Sequence, residues 1–559
     1  MPLFKKIIPI LITLMISLYA VNPLFKSGFF PMHDDTQPSR VFVMADALKQ
    51  GQFPVRWVDH LGYGYGYPLF NFYAPLPYYV GAVGVLLGLN VIVATKLMFV
   101  IGALLSAVTM YLLGCKLWGK IGGLITSLAY VMLPYHAVQI YVRGAVGEYW
   151  AYGLLPLVFY GLLELNETPQ FGIIVGSLAF AAVILSHNIT GLILFGLLGT
   201  WLTFLLVSIL LKHETFSKFS NTFKMIICGI AIAAFFWLPA LKEANFTKVN
   251  FLTQGSNNYK LHFVYLDQLW DSPWGFAGSA SGRNDGMSFK LGKLHVITAG
   301  IAISLILVRK IKNKFNLFLY WSGLALLVSV FMMLTWSDFI WQLHPLFAFI
   351  QYPWRFLTFS GILMTLFIGG LTQIMRDFNK SIKIIFAVLM IMVFLGFNGK
   401  YFQPELHDLK TDADYTSESN LRWKISKISD EYLPQDFPIP QTKKETAQEK
   451  IQIPDGIILE SDDISPQRVS LKFKANLAGK IRFSIAYFPG WNIVLDGNKV
   501  LPEIQEGLIT LSVPQGNHQM TVLFENTPVR TISNLITILA IIFELVMISN
   551  RFIKFKSAL

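Results

Sequence analysis

The chain has 559 residues, 54% of them hydrophobic and only 14% charged, against about 25% charged in an ordinary soluble domain. That balance excludes a soluble globular protein and predicts a polytopic α-helical membrane protein. The net charge of +12 does not point to nucleic acid, because the surplus Lys and Arg sit in short clusters between apolar runs, where they report topology.

Taken in chain order, the first apolar run, KKIIPILITLMISLYAVNPLF, lacks a small-residue cleavage site and reads as a retained signal anchor with Lys5 and Lys6 on the cytoplasmic side. Apolar segments near the length that crosses about 30 Å of hydrocarbon fall at 7–25, 93–114, 121–135, 150–164, 171–187, 189–211, 225–241, 291–308, 317–334, 354–375, 383–398 and 531–549, predicting about twelve spans. The basic clusters follow alternate spans: Lys116 and Lys120; Lys212, Lys218 and Lys224; Arg309, Lys310, Lys312 and Lys314; Arg376, Lys380 and Lys383; Arg551, Lys554 and Lys556. These clusters predict a plasma-membrane protein with both termini cytoplasmic. Counting 74–89 as a further span would put every later cluster on the wrong side, so that stretch is expected to be a juxtamembrane helix.

This parity places the loops 26–92, 135–151 and 242–290, the segment 335–353 and the polar region 399–530 outside the cytoplasm. The expected domains are a transmembrane body over 1–398, an extracytoplasmic mostly β domain over 399–530, and a final helix with a basic tail over 531–559. Within the β domain, RVSLKFKA, GKIRFSIAYF, WNIVLDG, LITLSV and HQMTVLFEN alternate apolar and polar residues between turn signals, the pattern of a small β-sandwich. The cysteines, Cys115 and Cys228, lie in or beside apolar runs without CxxC spacing, so neither a disulfide framework nor a thiolate metal site is indicated.

The first external loop opens on GFFPMHDDTQPSRVF. Asp34, Asp35 or Thr36 suits the cap of a helix beginning near Pro38. One cap needs one side chain, however, and adjacent carboxylates repel unless a cation, a proton or a basic partner compensates. Arg40 offers such compensation. An ionised carboxylate at a membrane surface is what a general base needs to take a proton from a hydroxyl.

These residues resemble the first external loop of GT-C type glycosyltransferases, polytopic enzymes that use polyprenyl-linked sugar donors: Asp34 just after the first helix, Arg40 six residues on, then FPVRWVDHLGYGYGYPLFNFYAPLPYY. In their oligosaccharyltransferase branch a later loop carries a second acidic motif, and in RGAVGEYWA the matching position is Glu148. The segment QYPWRF (351–356) and the terminal AYFPGWNIVLDG (486–497) are similar to bacterial YfhO-type proteins and to the membrane family labelled 6-pyruvoyl-tetrahydropterin synthase-related. That label does not imply a zinc pterin synthase, because none of the ten histidines forms an HxH pair.

The resemblance implies an inverting transferase with Asp34 or Asp35 as base. Glu148 would be a metal ligand with Asp34, or else a second positioning carboxylate; a capping role at Tyr149 is the plain alternative. It also implies Arg355 on the leaving phosphate, in place of a simple interfacial anchor, with Tyr352 and Trp354 beside it. His33, Arg40, Arg143 and His187 complete the expected binding set. Arg143 serves equally as a headgroup anchor, and His187 as a locally satisfied helix-tip residue. A divalent cation, Mg²⁺ or Mn²⁺, belongs with diphosphate donors, and the sequence leaves metal dependence open. The expected partners are a lipid-linked sugar donor, an extracytoplasmic acceptor and the bilayer, with no nucleic acid. The rival class is non-enzymatic: a lipid or polysaccharide transporter, or a glycan-binding membrane scaffold. The absence of GxxxxGK[ST] argues against ATP-driven work.

Overall fold

The computed structural model describes residues 4–311 and 313–558, with side chains omitted for 4–6, 250 and 551–558. Lys312 therefore lies outside the described residues, as do the side chains of Lys5, Lys6, Arg551, Lys554 and Lys556. Among the described residues seven helices are long and apolar enough to cross a membrane, or eight if the bent pair Phe216–Ile232 and Ala234–Lys242, angled at 71°, is one span.

The expectation of about twelve separate spans differs for physical reasons. Two of the expected segments, 93–114 and 121–135, are present as two helical arms of Val91–Val131 that turn at Gly119, where the backbone leaves helical geometry at φ 76°, and fold back on each other so that Ser127 Oγ donates to the Ala107 carbonyl at 2.8 Å. Ile7–Ala20 and Lys293–Val308 are apolar but short. The helix Val146–Glu164 carries a glutamate near each end. As expected, 74–89 contains no spanning helix: Leu76–Leu86 has 11 residues, about 16 Å at 1.5 Å per residue.

The loop 26–92 threads between the bundle and the polar region. Trp57 packs its ring on Trp491 and Phe524, at 5.3 and 5.4 Å. Tyr63 N–H donates to Ser426 Oγ (3.0 Å), while Ala447 and Ala486 N–H donate to the carbonyls of Tyr63 and Tyr65 (3.0 and 2.8 Å). Arg530, fully buried at the head of the last helix Pro528–Ala558, donates through Nε to Glu243 (3.0 Å). The same carboxylate accepts from Asn71 (2.8 Å) and Thr527 (2.7 Å). Polar groups from three chain segments thus satisfy one another in the interior, which burial requires.

The C-terminal β region forms two antiparallel sheets. One orders Ile451–Gln452, Gly479–Ala486, Leu508–Val513 and Glu503–Gln505; the other orders Ile457–Ser465, Arg468–Ala475, Gly516–Phe524, Trp491–Leu495 and Asn498–Val500. All five predicted strands are present. Alternation explains them: in Arg468–Ala475, Val469, Leu471, Phe473 and Ala475 are buried and the residues between them are not. The strand Ile457–Ser465 carries no such signal, because it is an edge strand exposed over eight of its nine residues.

Candidate functional site

Backbone pairing brings the two acidic loops together. His33 N–H donates to the Val142 carbonyl (3.0 Å) and Asp34 N–H to that of Arg143 (2.9 Å). The partner loop follows a π-helical turn, Val138–Val142, a feature common at functional sites. It turns at Gly144, whose φ of 63° and contact with Met32 leave no room for a side chain.

The adjacent aspartates part company. Asp35 forms an ion pair with Lys410 and accepts from Tyr415 Oη (2.8 Å), so it binds the loop 26–92 to the polar region. Thr36 begins the helix Gln37–Lys49 without a side-chain capping bond. Asp34 keeps a side chain 40% exposed, with His33 Nδ1 at 3.5 Å. Burial raises the Asp34 carboxyl, but the hydrogen bond from His33 and the charges of Arg143 and Arg40 outweigh it and hold it below the usual aspartate range. The His33 bond to Asp34 outweighs burial in turn and raises the imidazole. Asp34 is therefore ionised, accessible and flanked by cations.

Glu148 differs. It is 1% exposed; its Oε1 accepts from Tyr135 Oη (2.7 Å), Thr358 Oγ1 (3.1 Å) and Gln139 Nε2 (3.3 Å), and its Oε2 takes Arg143 Nη1 at 2.6 Å. With a guanidinium on one oxygen and three neutral donors on the other, Glu148 does not suit the role of a metal ligand shared with Asp34; it fits a positioning carboxylate that fixes Arg143. Nor does it spend its side chain capping the helix at Tyr149. The described residues whose ligand atoms do cluster at metal-binding distances are Asp46, Asp59 and His60, elsewhere in the stretch 26–92, where His60 Nε2 lies 3.3 Å from Asp46.

Arg143 and Arg355 bracket an aromatic stack. Arg143 lies 4.5 Å over the Trp354 ring, Trp354 stacks on Tyr352 at 4.9 Å, and Arg355 lies 4.9 Å over Tyr352. One backbone carbonyl and one side-chain amide hold Arg355: its Nη1 donates to Ile350 O (2.7 Å) and Gln351 Oε1 (3.0 Å), leaving the buried Nε without a partner. Arg355 is 9% exposed, so a headgroup-anchor role does not fit its packing. Tyr352 Oη donates to Asn257 (2.9 Å).

His187 is half-buried, and its Nδ1 caps the helix Asn188–Leu210 by accepting from Thr190 N–H (3.2 Å). Burial pushes it down to about 3, against the pull of Glu148. It is a neutral helix cap beside the charged cluster. Arg40, 5% exposed, lies 4.0 Å over the Tyr73 ring, donates through Nη2 to Ser429 Oγ (3.1 Å) and leaves Nε unpartnered.

The loop Asp271–Phe289 reaches the same place. A side chain at Gly278 would meet His33 Nε2 at 2.7 Å, so a glycine is needed for that approach. Asp285 folds the loop by accepting from Ser279 Oγ and from the N–H groups of Ala280 and Met287, at 3.1, 3.0 and 3.0 Å. Trp274 stacks on Tyr401 at 4.5 Å.

Asp34, Glu148, Arg143, Arg40, Arg355 and His187 thus form one electrostatically coupled group. Sequence reasoning missed Tyr135, Gln139 and Thr358 around Glu148, and it missed Glu431, which lies within electrostatic range of Arg40 and Asp34. Tyr135 and Gln139 sit in the same loop as Glu148, but nothing in their spacing marks them. Glu431 comes from a polar stretch with no motif at all.

None of the curated proteins matches the chain. Solved structures similar to it include arabinofuranosyltransferase AftD from Mycobacteria, at 14% identity and TM-score 0.45, covering 72% of this chain and 27% of that one. The Archaeoglobus fulgidus oligosaccharyltransferase in the apo form is similar at 14% identity and TM-score 0.45, covering 80% and 62%. ArnT from Cupriavidus metallidurans, bound to undecaprenyl phosphate, is similar at 13% identity and TM-score 0.41, covering 76% of each chain. The chain thus spans less than two thirds of the length of the first two. A family model described as "6-pyruvoyl-tetrahydropterin synthase related domain; membrane protein" matches residues 70–402, taking in the loop of Glu148, the bundle around it and the QYPWRF segment, and the chain belongs to that family of membrane proteins.

Proposed function

We propose that the protein is an inverting glycosyltransferase of the GT-C type, moving a sugar from a polyprenyl phosphate or diphosphate to an acceptor on the extracytoplasmic face of the plasma membrane. The observation that carries this reading is the pairing of an accessible, ionised Asp34 with the buried guanidiniums of Arg143, Arg355 and Arg40. A base and an anion receptor meet in one group, and this transfer needs both.

Asp34 takes the acceptor hydroxyl proton as the acceptor oxygen attacks the anomeric carbon of the sugar. The bond from that carbon to the phosphate oxygen breaks, and its electron pair leaves with the phosphate. Arg355, whose Nε is unpartnered, receives the growing negative charge beside Arg143; preorganised donors aimed at developing charge are the largest contribution in many such reactions. Glu148 keeps Arg143 in place through its 2.6 Å contact. No step is routed through a metal, since the surroundings of Glu148 do not suit one. In this reading 1–398 is the catalytic body, 399–530 the extracytoplasmic domain and 531–559 the anchoring helix and tail.

A transporter reading finds less support. The final helix does bury Glu544, but its Oε1 bonds Ser177 at 2.6 Å, a fastening between two helices rather than one of a series along a path. The direct test follows loss of a radiolabelled polyprenyl-linked sugar pool in membranes containing the wild type, Asp34→Asn or Asp35→Asn. Asp34→Asn should stop turnover; equal turnover in wild type and Asp34→Asn removes the enzyme reading.

A further inference from the structure

A histidine that the mechanism above does not use joins two parts of the site. His262 is 5% exposed, and both of its ring nitrogens are engaged: Nε2 donates to the Ser256 carbonyl (2.7 Å), and Nδ1 meets Ser279 Oγ at 2.9 Å. A carbonyl only accepts, so Nε2 carries a proton. The ring stands edge-on to Tyr352, at 4.7 Å and 77°. Three neighbours from three stretches of chain thus fix one imidazole.

On one side, Ser279 follows Gly278, which packs against His33 beside Asp34. The Ser279 hydroxyl also reaches Asp285 (3.1 Å), the carboxylate that folds the loop 271–289. On the other side, the segment carrying Ser256 holds the residues that hold Arg355. Asn257 Oδ1 accepts from Tyr352 Oη (2.9 Å), and the Leu252 carbonyl accepts from Gln351 Nε2 (3.0 Å). The Gln351 amide oxygen takes Arg355 Nη1 (3.0 Å), and the Tyr352 ring lies 4.9 Å under the Arg355 guanidinium. Gln351 itself sits at φ 64°, a conformation that persists in a residue other than glycine only where its neighbours over-determine it.

We propose that His262 is a positioning residue for the transfer, fastening the loop 271–289 to the tyrosine under Arg355 so that the base and the phosphate-binding guanidinium keep one spacing. This rests on the transferase reading. An unbroken run of contacts leads from Asp34 through His33, Gly278, Ser279, His262 and Tyr352 to Arg355. The groups that hydrogen-bond Arg355 are a carbonyl and an amide, so its charge is left for the phosphate while its direction depends on Gln351 and Tyr352. Direction matters because the attacking oxygen, the anomeric carbon and the leaving oxygen must lie in line, and a misplacement of about 1 Å costs on the order of 10²-fold.

The test compares the wild type with His262→Ala, Ser279→Ala and the double variant in membranes carrying the radiolabelled polyprenyl-linked sugar pool. Each single variant should lower kcat about tenfold, the worth of one hydrogen bond, and leave KM near wild type, because the guanidinium acts on charge that develops during bond exchange. The double variant should lose no more than the worse single one, since both substitutions cut the same link. His262→Gln, which keeps a donor for Ser256, should recover part of the loss. Purified full-length protein gives a readout that needs no turnover: trypsin should cut after Arg283, exposed in the loop, about tenfold faster in both single variants. The proposal is overturned if His262→Ala leaves that cleavage rate unchanged, if the single losses multiply in the double variant, or if the loss falls on KM rather than kcat. Should Asp34→Asn turn over like the wild type, the transferase reading fails instead, and the cleavage rates still decide whether His262 fastens the loop.

Discussion

Asp34 and Glu148 are the two carboxylates a sequence reader would pair, yet their surroundings predict opposite consequences of neutralising each. At 2.6 Å from Arg143, the Glu148 charge has a gross attraction of about 6 kcal/mol at an effective dielectric of 20. Removing one member of such a buried pair costs about 3–5 kcal/mol, because the other charge is left uncompensated. Glu148→Gln should lose that much unfolding free energy, read by denaturant titration of the purified protein with tryptophan fluorescence. Asp34, 40% exposed with a single 3.5 Å contact to His33, should change stability by less than about 1 kcal/mol as Asp34→Asn. Its effect falls on turnover of the labelled sugar pool, where losing a general base costs about 10²–10⁴-fold, or about 3–5 kcal/mol of barrier. If Glu148→Gln proves as stable as wild type, or Asp34→Asn is destabilised as much as Glu148→Gln, the division between a structural and a reacting carboxylate is refuted.

Further outcomes follow from the same geometry. Because the folded Asp34 carboxyl lies below its ordinary range, its base function is present above that lowered value and lost as pH falls through it. Turnover should hold from neutral pH through the usual aspartate range and fail only below, and removing the Arg143 charge together with that of Glu148 should move the acidic limb upward. Gly144→Ala should destabilise the protein by about 1–3 kcal/mol, since the new methyl group enters Met32 at a φ of 63°; unchanged denaturant stability would show that the loop repacks. His187→Ala should cost about 1 kcal/mol through the lost cap. With His187 pushed down to about 3, that variant should leave the pH profile between 5 and 8 unaltered.

Much of the architecture was legible in local pattern. Apolar runs marked the spanning helices, alternation marked the five longer inner strands, and the shortness of 74–89 as a helix followed from topology alone. The total of spans was less secure, because hydropathy cannot tell a spanning helix from a short apolar one such as Lys293–Val308, nor foresee a 71° break within an apolar run. The exposed edge strand Ile457–Ser465 was invisible because only a half-buried strand alternates.

For the site, composition and spacing singled out the Asp34 and Asp35 pair, since charge is rare in this chain and its position at a helix exit stands out, and the resemblance to GT-C type transferases added Glu148, Arg143 and Arg355. Their roles were decided by packing. Which aspartate remains open depends on Lys410 and Tyr415, about 375 residues away in sequence. Whether Glu148 faces a ligand or an arginine depends on donors from Tyr135, Gln139 and Thr358. A sequence fixes which groups carry charge and which runs prefer hydrocarbon; only the folded chain determines which of those charges are neutralised by distant partners and which are left to face a substrate.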